Sequence, residues 1–180
     1  MLTREAALDL IKQQNPEQHM VQHALASECV MRALARYFGE DETLWGITGL
    51  VHDVDFPHTK GTPASHGLMA EDMLAGSLPL EGVRAIKAHN SECTGVDPKS
   101  RFDYALRAAE TVTGMVTAAA LVRPTGMEGM EAKSLKKKMK DKAFAAAVSR
   151  ERIRECEKIG ITLDEFFTLA IKAMSTLSNH

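Results

Sequence analysis

A chain of 180 residues with 44% apolar and 26% charged content is long enough for one domain with a sizeable core, and its composition excludes the disordered class. The formal net charge of −2 gives no general attraction to nucleic acid or to an anionic membrane. The three cysteines, Cys29, Cys93 and Cys156, form no C-x-x-C pair, which argues against a zinc knuckle or a disulfide framework and favours a reducing cytoplasm.

The composition also favours helix over sheet. Aromatic residues are few, whereas Ala, Leu, Met, Glu and Lys are abundant, and straight side chains lose little rotamer freedom in a helix. No apolar run approaches the roughly 20 residues of a membrane span, and no secretory leader is evident. We therefore expect one all-α domain over residues 1–180, a compact bundle of about eight or nine helices without a membrane partner.

The first three helices are predicted from apolar periodicity and end signals. One helix spans about residues 3–14 and is ended by Asn15-Pro16. A second spans residues 17–38, and Gly39 is placed for a left-handed C-cap. A third runs from about residue 41 to His52, and a loop follows it.

Two shorter helices and a polar loop are predicted next. A fourth helix is expected over residues 63–75, with His66 in its first turn, because Thr-Pro is a good cap and first-turn pair. A fifth begins near residue 79, directs Leu80 to the core and ends at His89-Asn90. The polar residues that follow are expected to form a rim or lid.

The C-terminal part begins with a long helix and continues with basic segments. Residues 100–122 form an Ala-rich helix with Glu110 near its middle. The metal-site core is expected within residues 17–122, and basic helices fill residues 123–180. A capping box that begins at Thr162 predicts the last helix, which reaches about residue 177.

Residue types that bind metals recur on separate predicted elements. His52 and Asp53 form an adjacent imidazole and carboxylate at the end of the third helix. The remaining candidates lie one to a helix: His23, His66, His89 and Glu110. A single histidine on a helix is usually packed or solvated, but convergence of several helices is how metal sites in bundles are built. The ordered set therefore predicts a metal centre around Asp53.

This ordered set resembles the HD-domain superfamily of metal-dependent phosphohydrolases over roughly residues 17–122. In that family an early His, the His-Asp doublet and a late Asp hold one metal, and members with two further histidines hold a second metal that the doublet's Asp bridges. By resemblance, the first site would comprise His23, His52, Asp53 and Glu110, and the second Asp53, His66 and His89. Here the late ligand is Glu rather than Asp, and Asp103, on the same helix face, is a weaker substitute.

The resemblance implies a function. The chain would use metal-activated water to hydrolyse a small phosphorylated metabolite or nucleotide, as a phosphomonoesterase or phosphodiesterase, with Asp53 as its central catalytic residue. One or two divalent transition metals are expected, since mixed imidazole and carboxylate ligation suits Mn, Fe, Co, Ni or Zn. The alternatives are a catalytically weakened nucleotide-binding or regulatory domain, and a di-iron oxygenase.

Five further polar side chains are candidates for contact with the substrate: His58, Lys60, Asn90, Arg123 and Lys137. The first three follow the doublet or the fifth helix, and the last two belong to the basic C-terminal part. A lysine-rich run is usually a solvated helix face, so no nucleic-acid surface is expected.

Overall fold

A computed structural model of the chain describes residues 1–177. Eleven α-helical segments occur in this part: α1 (Arg4–Gln13), α2 (Gln18–Phe38), α3 (Glu42–Val51), α4 (Phe56–Thr59), α5 (Leu68–Met73), α6 (Leu80–His89), α7 (Ser91–Thr94), α8 (Arg101–Leu121), α9 (Ala132–Lys140), α10 (Arg150–Arg154) and α11 (Leu163–Ser175). Two 3-10 turns lie at Pro63–Ser65 and Glu155–Ile159. No strand occurs among residues 1–177, so the predicted all-α class is confirmed.

The number of long helices also agrees with the prediction. Seven α-helices have nine residues or more, and α10 runs directly into the second 3-10 turn, which gives eight long helical segments. No helix among residues 1–177 is both long and apolar enough to cross a membrane.

Helix α3 packs mainly against α2 and also contacts α1, α6 and α8. Every residue from 44 to 51 is buried. A Cβ atom at Gly49 would lie 2.8 Å from Met31 Cγ and 2.9 Å from the Ser27 carbonyl oxygen, so only glycine allows α3 to approach α2 this closely. This close packing brings the end of α3, with His52, against the histidine of α2.

The C-terminal helices belong to the same cluster of buried residues as the rest of the chain. Leu135 of α9, Ile153 of α10 and the pair Phe166 and Phe167 of α11 are fully buried. Helix α11 packs against α2, and α10 packs against α8. The basic C-terminal part therefore packs against α2, which carries His23, and against α8, which carries Glu110.

Several predicted helix ends match the structure. The Thr3 hydroxyl accepts from the Ala6 amide at the start of α1, and Thr162 forms a capping box with Glu165 at the start of α11. Gly39 ends α2 with a φ angle of 70°. Local capping chemistry thus fixes these ends.

The predicted fourth helix over residues 63–75 is wrong. The chain instead forms a 3-10 turn, breaks at His66 and Gly67, and then begins α5. The cause is Asp55, whose carboxylate accepts hydrogen bonds from the amides of Gly67 and Ala70 and so starts a new helix at this point. His66 consequently lies in a break between two short elements.

Two other expectations also need correction. Leu80 is 87% exposed, because it is the first residue of α6 and precedes the face that packs inward through Val83 and Ile86. The two segments expected as loops, after His52 and after Asn90, contain the short helices α4 and α7.

Candidate metal centre

His52 and Asp53 follow directly after α3. The His52 side chain is fully buried, and its Nδ1–H donates to the Gly49 carbonyl oxygen at 2.8 Å. This hydrogen bond leaves the lone pair on Nε2, the atom that would bind a metal. Asp53 is the next residue, and its side chain remains 23% exposed.

Two more imidazoles are oriented in the same way from α2 and α6. His23 Nδ1 lies 2.9 Å from the Thr113 hydroxyl oxygen, and that hydroxyl donates its own proton to the Glu110 carbonyl at 2.7 Å. The Thr113 oxygen must therefore accept from His23. His89 Nδ1 donates to the Ile86 carbonyl, one turn earlier in α6. Both histidines thus keep a lone pair on Nε2.

His66 has no helical turn around it and is held by other side chains. Its Nδ1–H donates to Asp55 Oδ1 at 2.9 Å, and the same carboxylate accepts from the Gly67 and Ala70 amides at 2.7 and 3.2 Å. The Asn90 amide donates to the His66 carbonyl at 3.0 Å. The ring orientation of His66 is therefore set by Asp55, which is fully buried.

All four Nε2 atoms face the Asp53 carboxylate, two on each oxygen. Asp53 Oδ2 lies 3.7 Å from His23 Nε2 and 3.4 Å from His52 Nε2. Asp53 Oδ1 lies 3.2 Å from His66 Nε2 and 3.4 Å from His89 Nε2. Within each pair the two Nε2 atoms are 3.2 and 3.1 Å apart.

These distances fit two metal ions. Ligand nitrogens at about 2.0–2.1 Å from a tetrahedral zinc ion are separated by roughly 3.3 Å, close to the separations within each pair. Two imidazole nitrogens at this distance need a proton or a metal cation between them, because facing lone pairs repel each other. Two groups of residues therefore have the geometry to hold a metal ion: His23, His52 and Asp53, and Asp53, His66 and His89.

In the metal-free centre, burial and neighbouring charged groups shift the pKa values of the candidate ligands. Burial lowers the pKa of His52 to about 3. Burial would also lower the pKa of His66, but hydrogen bonds to Asp53 and Asp55 outweigh it and raise this pKa to about 10. Burial would raise the pKa of Asp53, yet the neighbouring imidazoles hold it well below its ordinary value.

Glu110 lies at the edge of the centre, outside both groups. Its Oε1 accepts from the Thr111 hydroxyl and lies 3.8 Å from Arg152 Nη1. Burial raises the pKa of Glu110, while the nearby His89 and His23 act in the opposite direction. Asp103, the weaker substitute, caps α8 and pairs with Arg84 instead.

Three of the five candidates for substrate contact are exposed, and two of these bond to other side chains. His58 is exposed and bonds Gln14 at 2.9 Å, and Lys60 pairs with Glu17 at 2.8 Å. Lys137 is exposed on α9.

Arg123 and Asn90 complete this set. Arg123 donates to the carbonyls of Gly126 and Glu128 and so closes its own turn. Asn90 donates to the Pro63 and His66 carbonyls at 3.2 and 3.0 Å. The structure therefore places only Asn90 directly against a segment that carries a candidate metal ligand, and there it holds the backbone.

Sequence reasoning missed the residues that orient the histidines. Asp55 and Thr113 carry no spacing signal, because their contacts span 11 residues or more along the chain. Arg107 is buried and donates to the carbonyls of Ala88 and His89, which fixes the end of α6. A charged residue in the apolar stretch of α8 was the one available signal for Arg107.

A narrow apolar cleft runs beside Asp53, between α1, α2 and the turn after α3. Ile11, Met20, Leu50 and Pro57 line it. Asp53 forms part of the wall of this cleft. Comparison with protein-family models, with curated proteins and with solved structures found no match to this chain.

Proposed function

We propose that the chain is a metal-dependent phosphohydrolase of the HD type, with one divalent transition metal on each side of Asp53. One observation carries this proposal: each oxygen of Asp53 faces the Nε2 atoms of two imidazoles whose other ring nitrogen is already hydrogen-bonded. A bridging carboxylate requires this arrangement, and the hydrogen bonds that fix the four rings are those expected around metal-binding histidines.

The donor set indicates the class of metal and the chemistry. Four imidazoles and a carboxylate suit Mn, Fe, Co, Ni or Zn better than Mg or Ca. A pair of such ions lowers the pKa of a shared water, binds phosphate oxygens and stabilises a leaving group, which phosphoester hydrolysis requires. Glu110 supplies a further carboxylate, close enough to His89 and His23 for their charges to act on its pKa.

The protein's own residues define a closed and an open side of the centre. The side chains of His52 and His89 are 0% and 6% exposed and exclude water from the interior side. Those of His23 and Asp53 are 28% and 23% exposed. A small phosphorylated metabolite or nucleotide would approach from this open side, with its phosphate towards Asp53.

Metal analysis tests the proposal directly. Protein purified without chelator from metal-supplemented medium should contain about two transition metals per chain. It should hydrolyse p-nitrophenyl phosphate, bis(p-nitrophenyl) phosphate or a member of a nucleotide panel, and chelation should abolish that activity. Less than one metal per chain under these conditions, together with no turnover, would refute the proposal.

A second candidate is a binding or regulatory domain with little catalysis. It is favoured by Glu110, which contacts Thr111 and Arg152 and belongs to neither ligand group. This candidate predicts that metals and nucleotides raise the melting temperature while no product forms. Thermal-shift screening followed by product analysis separates the two functions.

A further inference from the structure

The C-terminal part places a guanidinium at the edge of the metal centre. Arg152 of α10 has its Nη1 atom 3.8 Å from Glu110 Oε1, and its Nη2 donates to Glu92 Oε2 at 2.7 Å. Its side chain is 26% exposed. The backbone carbonyl of Glu110 accepts from the Thr113 hydroxyl, which accepts from His23, so Arg152 lies beside the turn of α8 that orients this histidine.

The position of Arg152 is built into the fold. The Ser149 side chain caps α10, and the preceding turn is held by Arg150, which donates to the carbonyls of Ala145 and Val148. A Cβ atom at Gly114 would lie 3.1 Å from the Val148 side chain, so this turn rests directly on α8, one helical turn beyond Glu110. Packing therefore fixes α10, with Arg152, beside the part of α8 that carries Glu110.

Other basic side chains around the centre are already engaged. Arg107 is buried and donates to Glu155 and to the end of α6. Lys60 pairs with Glu17, and Lys87 pairs with Glu71. Within residues 1–177, Arg152 is the basic side chain at ion-pair distance from Glu110.

The Arg152 guanidinium also has hydrogen-bond donors that no described residue accepts. Its Nε has no partner among the described residues, and the 3.8 Å separation from Glu110 is too long for a hydrogen bond. Its partner Glu92 is 57% exposed and also lies 3.5 Å from Arg107. An exposed ion pair of this kind contributes little to stability, so stability alone does not account for Arg152.

We propose that Arg152 is a substrate-contact residue that binds the terminal phosphate of a phosphomonoester. The planar guanidinium suits two phosphate oxygens at once. A monoester has three non-bridging oxygens, enough for two metals and a guanidinium, whereas a diester has two. This inference rests on the proposed function and narrows its substrate class.

The test compares Arg152→Gln with Arg154→Gln in the metal-loaded full-length protein. Arg154 is on the same helix, is 54% exposed and pairs only with Glu157 within the described residues, so it is a matched control. Calorimetric binding of inorganic phosphate should weaken about 10- to 100-fold in Arg152→Gln, the usual range for a hydrogen bond to a charged group, and remain unchanged in Arg154→Gln. KM for p-nitrophenyl phosphate should rise accordingly, with a smaller change for bis(p-nitrophenyl) phosphate.

Two further variants separate contact from structural support. Glu92→Gln removes the ion pair but keeps the guanidinium, so phosphate should bind at least as tightly as in the wild type. Arg152→Lys should lose several-fold because it keeps the charge without the planar fork. Unchanged phosphate binding in Arg152→Gln, or an equal loss in Glu92→Gln, would overturn the inference. If Arg152→Gln does not fold, Glu92→Gln and Arg152→Lys decide it.

Failure of the proposed function gives a different result. A wild-type chain that retains no metal refutes the two-metal proposal. If phosphate binding to that metal-free chain still weakens in Arg152→Gln, this result would support the contact between Arg152 and phosphate independently of the metals. A chain that holds its metals and hydrolyses diesters and monoesters with equal dependence on Arg152 would refute the monoester assignment alone.

Discussion

The two sides of the candidate centre are held in different ways. His23 and His52 belong to the long helix α2 and to the end of α3, which pack closely because Gly49 lies against Met31. Their orienting acceptors are the Gly49 carbonyl and the Thr113 hydroxyl, both fixed by helices of the core. On this side, helix packing positions the imidazoles.

The other side depends on polar side chains. His66 lies in a break between a 3-10 turn and α5, and the buried Asp55 carboxylate joins its ring to the amides of Gly67 and Ala70. His89 is the last residue of α6, whose end is held by Arg107.

This contrast has an energetic consequence. A network of buried hydrogen bonds is stable only while all of its members are paired, because a buried group without a partner costs about 1–3 kcal/mol. The His66 and His89 side should therefore be the more easily disrupted one. The predictions below test this difference.

Asp53 is shared by both sides, so its loss should have the largest effect. In Asp53→Ala we expect both metals to be lost and turnover to fall by at least about 10³-fold, since no other group among residues 1–177 is shared by the two imidazole pairs. Metal content and turnover are measured on the same preparation. Circular dichroism serves as the folding control, and retention of both metals in a folded variant would contradict the bridging role.

Asp55→Asn should affect one side selectively. The Asn side chain replaces one carboxylate oxygen with an NH2 group. Where this group faces the His66 Nδ1–H, it cannot accept the hydrogen bond that Asp55 accepts, so the His66 ring loses its orientation. We expect affinity for one of the two metals to fall about 10- to 100-fold, as for other groups that orient metal-binding histidines.

Thr113→Val is the matched change on the other side. It removes the acceptor for His23, but α2 still positions the ring, so we expect a loss of about tenfold or less for the other metal. Stepwise metal titration distinguishes the two sites. An equal loss in the two variants would mean that the two sides do not differ.

The same contrast explains how much could be predicted from the sequence. The all-α class and the bounds of the long helices follow from apolar periodicity and from local caps such as Thr162 with Glu165, and these depend on neighbouring residues. Periodicity places His23 within α2 and His52 at the end of α3, whereas the grouping of these residues, and of His66 and His89, around Asp53 is what the resemblance implies.

The local structure on the His66 and His89 side could not be predicted from neighbouring residues. The break at His66 is caused by Asp55, 11 residues earlier, and Arg107 reaches the end of α6 from a different helix. Both contacts are tertiary, whereas Thr-Pro at residues 62 and 63 is compatible with either a helix or a 3-10 turn. The position of Arg152 likewise depends on the packing of α10 against α8.

The pH dependence of the metal-free protein should also differ between the two sides. His52 has its pKa lowered from 6.5 to about 3, so the unfolded state binds more protons below 6.5, and this residue destabilises the fold as the pH falls from 6.5 towards 3. His66 has its pKa raised from 6.5 to about 10, so its stabilising contribution is present below 6.5 and is lost as the pH rises towards 10.

Together these two histidines predict maximum stability near pH 6.5 in the presence of a chelator. The free energy of unfolding from urea titrations at several pH values measures this. His66→Gln should flatten the alkaline part of the profile and leave the acidic part unchanged. An alkaline part that is unaffected by this substitution would show that His66 is not its source.

Gly67→Ala should have the smallest effect, and it should still weaken metal binding. Gly67 has a φ angle of +87°, and an added Cβ would lie 3.3 Å from the Thr94 methyl group, so we expect a loss of about 1–2 kcal/mol in the free energy of unfolding. Gly61→Ala is the control, because its Cβ would meet no atom within 4 Å and its φ is not positive. Because the Gly67 amide donates to Asp55 at 2.7 Å, strain here should also weaken the metal bound by His66 while sparing the one bound by His23. Equal weakening of both metals would mean that the strain spreads through Asp53, and the two sides would then form one cooperative unit.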